Sequence, residues 1–324
     1  MPTISVVMGV YNDAQRVETS VASILQQTFT DFEFFIINDG SSDGTGPILD
    51  RLGAQDGRLR VIHQENMGLT KALIRGCAEA RGEFIARQDA DDYSLPDRLG
   101  QQLALIKGDC CIGFVSCATQ YVGPQGEPLS IIERAETPDL ATEQLLHHRQ
   151  GPPAHGSVLF RRSVYDAVGG YRPEFYFAQD SDLWLRMAEH SRFANVPKVL
   201  YVHRREVGST SGLHRAIQAR FGELGQLCKT ARLEGQSETA YLQEAKQLRT
   251  QILASRTQKL PPDPQALAGA AYFLGSQLVA NGDRRAIGYL WQTVSLCPTH
   301  WKGWYRLAQS LVQFPLAKVH SLPY

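Results

Sequence analysis

The first ninety residues alternate short β-branched runs with helical stretches, and this rhythm restricts the fold more than any other feature of the chain. "ISVVMGV" (4–10) ends at Tyr11-Asn12-Asp13, and Val17, Val21, Ile24 and Leu25 follow at helical spacing. "FEFFII" (32–37) closes on the turn-forming "NDGSSDGTG" and gives way to a helix through Ile48, Leu49 and Leu52. "LRVI" (59–62), a helix with Leu69, Leu73 and Cys77 on one face, and "EFIAR" (83–87) complete the series. Strands and helices of these lengths imply successive βαβ units. The expected class is α/β, a Rossmann-like, mainly parallel sheet flanked by helices. Such sheets bind ligands beyond the carboxyl ends of their strands. Tyr11-Asn12-Asp13, Asn38-Asp39-Gly40 and Asp89 through Asp92 are therefore expected to converge.

Beyond residue 110 the pattern is mixed: strand-like "IGFVSCATQYV", "GSVLF" and "VPKVLYVH" surround a helix near 182–190. From 213 onward the chain reads as helical. Residues 282–312 have the spacing of one and a half tetratricopeptide-type units, whereas about three are needed for a free-standing array. The expected organisation is a domain at 1–212 and a helical C-terminal extension at 213–324, with "KLPPDP" (259–264) as an internal linker. The 33 basic and 33 acidic residues balance, and the Lys/Arg runs are short, which argues against a nucleic-acid partner. The six cysteines show no CxxC spacing and read as reduced thiols. The chain opens into a strand rather than a signal peptide, and no apolar run approaches the ~18 residues of a membrane span. The expected compartment is the cytoplasm.

Three carboxylates at Asp89, Asp91 and Asp92 repel one another unless something positive joins them. A hard divalent cation carrying a diphosphate suits such a cluster. A calcium loop does not, because Tyr93 and Ser94 stand where that motif wants an acid or amide and a glycine. A capping box from Ser94 to Asp97, with Pro96 in the first turn, would explain those residues but not Asp89 or Asp91. Asp92 is open between site and scaffold. Asp39 either receives the N3–H of uracil or thymine or makes an Asx turn, and Asp43-Gly44 reads as turn chemistry. Asp180 and Asp182 open a helix, so one could cap it or act as general base.

Together "ISVVMGVYND", "INDGSSDGT", "NMGLTKALIRGCAEARGEFIARQDADD", "SLPDRLGQQ", "SVLFRRSVYDAVGGY" and "QDSDLWLRM" resemble the successive motifs of family 2 glycosyltransferases of the GT-A fold, over residues 3 to 212. The resemblance implies inverting transfer of a sugar from a UDP- or dTDP-sugar to a hydroxyl of a glycan or glycolipid acceptor, in surface polysaccharide or glycolipid assembly. It implies dependence on Mg²⁺ or Mn²⁺, with a hexosyl or N-acetylhexosaminyl donor. Asp180 falls on the catalytic base, Asp91 on the metal-binding acid with His203 as a second ligand, and Val10, Tyr11, Asn12, Asp39, Lys71, Asp89 and Ala90 on the donor contacts. Gly9, Asn38, Ile74 and Gln179 depart from the family's usual residues without removing a group the mechanism needs. His203 and Arg204 could equally be structural. The same holds for His155, and for Arg161-Arg162 as phosphate ligands. The C-terminal aromatics Trp291, Trp301, Trp304 and Tyr305 fit helix packing, with a peripheral membrane or partner surface as the other option. A different class of function, a degenerate nucleotide-binding interaction protein, is disfavoured by the intact Asp39, Asp89, Asp91 and Asp180 set. Nucleotidyl transfer would need a basic Gly-rich loop after the first strand, which "GVYNDAQR" does not supply.

Overall fold

The computed structural model describes residues 1–208, 215–255 and 263–314. Its strands are β1 (Ile4–Val10), β2 (Phe32–Asp39), β3 (Leu59–Gln64), β4 (Phe84–Asp89), β5 (Tyr93–Ser94), β6 (Ile112–Val122), β7 (Pro128–Ile132), β8 (Leu159–Arg161) and β9 (Arg192–Arg204). Its helices are α1 (Val17–Leu25), α2 (Thr45–Gln55), α3 (Leu69–Glu79), α4 (Arg98–Gly108), α5 (Pro138–His148), α6 (Arg162–Ala167), α7 (Gln179–Ala188), α8 (Arg215–Leu233), α9 (Thr239–Ser255), α10 (Pro264–Ala280), α11 (Ala286–Leu296) and α12 (Trp301–Gln313).

The strands form one sheet in the order β3-β2-β1-β4-β8-β6-β9-β5, with β7 beside β6. The expected βαβ series supplies its parallel half: β1 runs parallel to β2 and β4, and β2 to β3. The short β5 and strands from the mixed segment supply the rest, where β8 is antiparallel to both β4 and β6. Successive strand residues point to opposite faces. Ile4, Val6, Met8 and Val10 accordingly pack with Val17, Val21, Leu49, Leu99 and Ile106 of α1, α2 and α4. Val7 and Ile85 pack on the other side with Leu73 and Cys77 of α3 and Leu183 and Trp184 of α7. A sheet covered on both faces needs uninterrupted apolar strands, hence "ISVVMGV" and "FEFFII".

Parallel register sets the strand tips side by side, with Gly9 opposite Asp89, Val10 opposite Asn38, and Asp39 opposite Gln64. Asp39 and Asp89 end strands separated by β1 alone, about 10 Å apart by strand spacing.

The chain divides into two compact units. The first comprises Met1–Gln120, Ile131–His203 and Ala216–Gln258, and the second Tyr121–Ser130, Arg204–Arg215 and Lys259–Tyr324. Helices α8 and α9 thus belong with the α/β unit, although the sequence reading starts the extension at 213. Their apolar faces explain it: Phe221, Leu224, Cys228 and Ala245 enclose Phe175 and Phe177. Arg232 also pairs with Glu189 at 2.6 Å. Within the second unit, Asn281 donates to the Pro128 and Leu129 carbonyls, and Tyr289 donates to Glu127 at 2.9 Å. The linker at 259–262 lies outside the described residues, as does 209–214 after Arg204. Asp263 caps α10 by accepting from the Gln265 N–H, with Pro264 as its first residue. Among the described residues, no helix is long and apolar enough to cross a membrane.

Candidate active site

The tips of β1 and β2 are tied together by short polar side chains. The Asn12 N–H donates to Ser41 Oγ at 2.9 Å, and the Asn12 side-chain carbonyl accepts from the Ser42 N–H at 2.7 Å. Asp13 N–H donates to Thr45 Oγ1, and Ala14 N–H to Asp43. Asn12 holds φ 50°, a left-handed conformation that asparagine tolerates better than most residues. Val10 is buried, and Tyr11 stands half out in solvent.

The loop after β2 is held by Asn38, whose side-chain oxygen accepts from the Ser41 N–H, and its Asx turn is made by Asp43, which accepts from the Thr45 N–H at 2.9 Å. Asp39 does something else. Its carboxylate accepts from Gln64 Nε2 at 2.7 Å and from the Met67 and Gly68 N–H groups, both at 2.8 Å. It thereby holds the loop that enters α3. Gly68 has φ 90°, and a Cβ there would meet the Tyr176 ring at 2.9 Å. An ionised carboxylate has about four acceptor positions, so three bonds leave room for one more. Lys71 follows on the first turn of α3, half-buried and without an ion pair among the described residues.

At the tip of β4 the turn carrying the acids is built around the fully buried Gln88. Its amide donates to the Asp89 and Asp92 carbonyls and to Ser20 Oγ, while its oxygen accepts from Ser94 Oγ at 2.8 Å. Ser94 therefore makes no capping box. It sits in β5, paired with Tyr201 of β9, and α4 begins four residues later without a side-chain cap. Ala90 packs on the core below the turn.

Asp89 is held at both oxygens, by the Arg87 guanidinium at 2.8 Å and by the Gly156 N–H at 3.0 Å. Arg87 is completely buried and also reaches the Gln88 carbonyl at 3.1 Å, the Val7 carbonyl, and His155 Nε2 at 3.3 Å. A guanidinium can only donate, so His155 Nε2 accepts and the imidazole is neutral. Burial and the adjacent Arg87 push its pKa down to about 3, and Asp180 opposes them. The Tyr171 hydroxyl completes this node at 2.6 Å from Nε2.

Asp91 has the opposite problem. Burial drives its pKa up to about 7, the neighbouring Asp92 and Asp89 add to that, and His203 works against it. Asp92 is buried at the same turn, where its Oδ2 accepts from Tyr201 at 2.9 Å and faces His203 Nδ1 at 2.8 Å. A carboxylate accepting from the Nδ1–H is the usual arrangement behind a metal-binding imidazole.

Asp180 and Asp182, indistinguishable by type, separate here. Asp182 is buried and bonded to Arg186 at 2.6 Å, with Arg172 at 3.5 Å. Neither acid caps α7, whose N-cap is Ala178. Asp180 is half-buried in the first turn of α7 and has no hydrogen bond or ion pair among the described residues. Its charge acts on the buried His155 and Tyr171. Arg161 and Arg162 donate to the carbonyls of Ile112, Ile106 and Ala80, which accounts for them without phosphate. Arg204 donates to the Pro124 carbonyl in the second unit.

Arg87, Gln88, Tyr171 and Tyr201 went unnoticed in the sequence. An Arg-Gln pair inside an apolar strand was the available signal, since such residues are rarely buried without a purpose. Gly156 is equally hidden. A Cβ there would lie 1.8 Å from the Tyr201 hydroxyl and 2.8 Å from the Asp89 nitrogen. Gly156→Ala is expected to destabilise the protein by roughly 3 kcal/mol or more, measured by urea unfolding, because it overpacks a filled core and disrupts a buried hydrogen bond.

The donor set suits a divalent cation in one particular way. Among the described residues, the acids of this turn and His203 do not gather three donor atoms within 4.8 Å; the one such group is Asp109, Cys110 and Cys111, mostly exposed and elsewhere on the surface. A site with one strongly perturbed carboxylate suits an ion that takes most of its oxygens from a diphosphate.

Comparison with known proteins agrees with this geometry. The profile of glycosyl transferase family 2 matches residues 5–169. The putative glycosyltransferase EpsE of Bacillus subtilis is 31% identical over 210 residues, which cover 63% of this chain and 74% of EpsE. Chondroitin synthase of Pasteurella multocida is 28% identical over 201 residues, but only 20% of that longer protein is covered. In three dimensions the chain resembles a mannosyltransferase from Pyrobaculum calidifontis in complex with GDP-Man and Mn²⁺ (TM-score 0.55, 20% identity, 96% of this chain and 85% of that one). It also resembles S. aureus TarS 1-349 in complex with UDP-GlcNAc (TM-score 0.56, 16% identity, 95% and 89%). The sheet with its row of acidic strand tips is thus the GT-A scaffold, and the chain belongs to glycosyl transferase family 2.

Proposed function

We propose that the protein transfers a hexosyl or N-acetylhexosaminyl group, with inversion, from a UDP- or dTDP-sugar to a hydroxyl of a glycan or glycolipid. What carries this reading is the presence of a crowded acidic turn at Asp89–Asp92 together with an unengaged carboxylate at Asp180, whose charge is felt by the buried His155 that Arg87 contacts. EpsE, by name a putative glycosyltransferase, supports the transfer itself, the TarS complex with UDP-GlcNAc supports a UDP-sugar donor, and chondroitin synthase favours polysaccharide assembly as the setting.

In this reading Tyr11 and Asn12 flank the base, and Asp39 offers its remaining acceptor position to the N3–H. Val10 and Ala90 close the floor of the nucleotide site. Asp89, locked by Arg87 and Gly156, receives the ribose hydroxyls. Asp91 and His203 would hold Mg²⁺ or Mn²⁺, which stabilises the departing diphosphate as a Lewis acid. Lys71 lends positive charge toward the phosphates. Asp180 takes the proton from the acceptor hydroxyl as its oxygen bonds to the anomeric carbon. The bond from that carbon to the diphosphate breaks on the opposite face, so an α-linked donor gives a β product. Asp182, spent on Arg186, does not compete for the proton.

The test is a panel of nucleotide sugars assayed for release of nucleoside diphosphate, with and without chelator. One or a few UDP- or dTDP-sugars should be turned over, with activity lost on chelation and restored by Mn²⁺ or Mg²⁺. Turnover indifferent to chelation would refute the metal assignment. A companion measurement follows from the sparse protein ligand set. Mn²⁺ alone should barely shift the melting temperature, whereas Mn²⁺ with UDP should raise it by several degrees.

A further inference from the structure

The solvent side of α12 is apolar, the reverse of an ordinary surface helix. At about 100° per residue, Trp301, Trp304, Tyr305, Ala308, Leu311 and Val312 fall on one arc of about 120°. Lys302, Arg306, Gln309 and Gln313 occupy the adjoining arc, and Gly303, Leu307 and Ser310 face inward. Trp301 is 70% exposed, Tyr305 66%, Trp304 46% and Val312 84%. The Trp304 ring N–H is already given to the Pro298 carbonyl at 2.9 Å, which leaves its carbon face outward.

The charge around this stripe is one-sided. From Arg284 to the last residue the sequence contains Arg284, Arg285, Lys302, Arg306 and Lys318 and not one Asp or Glu, in a chain whose total charge is zero. Arg285 is neutralised by Asp283, and the Lys302 ammonium lies 5.6 Å from the Trp301 ring. The same stretch holds three of the four tryptophans.

We infer that this face of α12 docks on an anionic lipid surface. Trp and Tyr beside Lys and Arg is the chemistry of the lipid headgroup zone, where rings sit at the boundary and cations meet phosphate. A protein partner would select against lysine at its contact, and nucleic acid would have no use for Leu311 and Val312 continuing the stripe. The inference needs no catalytic activity, so it stands or falls apart from the transferase reading.

The test uses the full chain and vesicles of phosphatidylcholine containing about one-third phosphatidylglycerol, which model an anionic leaflet. The protein should co-sediment with these vesicles and not with pure phosphatidylcholine, and should release when salt is raised from about 0.15 M to about 1 M. Tryptophan emission should shift to the blue on binding and be quenched by brominated lipid, a readout that needs no variant. Lys302→Ala with Arg306→Ala should weaken binding roughly 25-fold, at about fivefold per cation. Trp301→Ser with Trp304→Ser should weaken it at least about tenfold, with the melting temperature lowered by no more than a few degrees through the lost Trp304–Pro298 bond. Absence of binding to anionic vesicles would overturn the proposal, as would binding unchanged in the tryptophan pair. Self-association or RNA binding that the same substitutions abolish, without vesicle binding, would reassign the face.

Discussion

Asp91→Asn is expected to lower sugar transfer by roughly 10³-fold and, in the same protein, to raise the stability of the metal-free fold above neutral pH. The first effect follows if this carboxylate anchors the ion that stabilises the leaving diphosphate, a contribution of several kcal/mol. The second follows from its titration. In the folded chain burial, Asp92 and Asp89 hold the Asp91 pKa at about 7, against an ordinary value of 3.8. A carboxyl raised in this way favours the fold while protonated. That contribution is whole below pH 4 or so and is lost as pH rises through about 7. The asparagine stays neutral throughout. The melting temperatures of variant and parent should therefore diverge between pH 5 and pH 8, the variant gaining on the order of 2 kcal/mol. Equal stability of the two at pH 8 would contradict this account of the acidic turn. Mn²⁺ with UDP should stabilise the parent and leave the variant almost unmoved.

Asp180→Asn separates chemistry from binding. Loss of a positioned general base should reduce kcat by about 10²–10⁴-fold. UDP·Mn²⁺ affinity by titration calorimetry should stay within a factor of about two, because Asp180 lies on α7 and not on the strand tips. Asp182→Asn should do the reverse, lowering stability by roughly 3 kcal/mol through the abandoned Arg186 cation and changing donor affinity little. If Asp180→Asn weakens nucleotide binding as much as turnover, it is a donor ligand and the base is elsewhere.

The parallel half of the sheet was legible because strands buried on both faces must be apolar throughout. The helices between them declare themselves by period, as Val17, Val21 and Ile24 do. The convergence of the acids followed from that topology alone. What a pattern could not reveal was partnership. Asp180 and Asp182 are the same residue two positions apart, and only the reach of Arg186 tells them apart. Ser94 carries the signature of a helix cap and is instead captured by Gln88, a tertiary contact that outranks local chemistry. Sequence leaves Asp39 open between an Asx turn and a base contact, and only the fold shows that the Asx turn belongs to Asp43 while Asp39 holds the loop before α3. Helices α8 and α9 were credited to the C-terminal extension because period identifies a helix but not what it packs against.

One planar ion sits between the two halves of this chemistry. Arg87 grips Asp89 at one end and at the other His155, which feels the charge of Asp180. A guanidinium cannot stretch, so if the donor lies as proposed, its sugar meets a fixed template. A descendant that needed to accept a bulkier sugar would find this spacing hard to widen. It would have to vary the loops above it, which predicts that donor preference in such chains drifts through the rim while the Arg-Gln-Asp strand end stays constant.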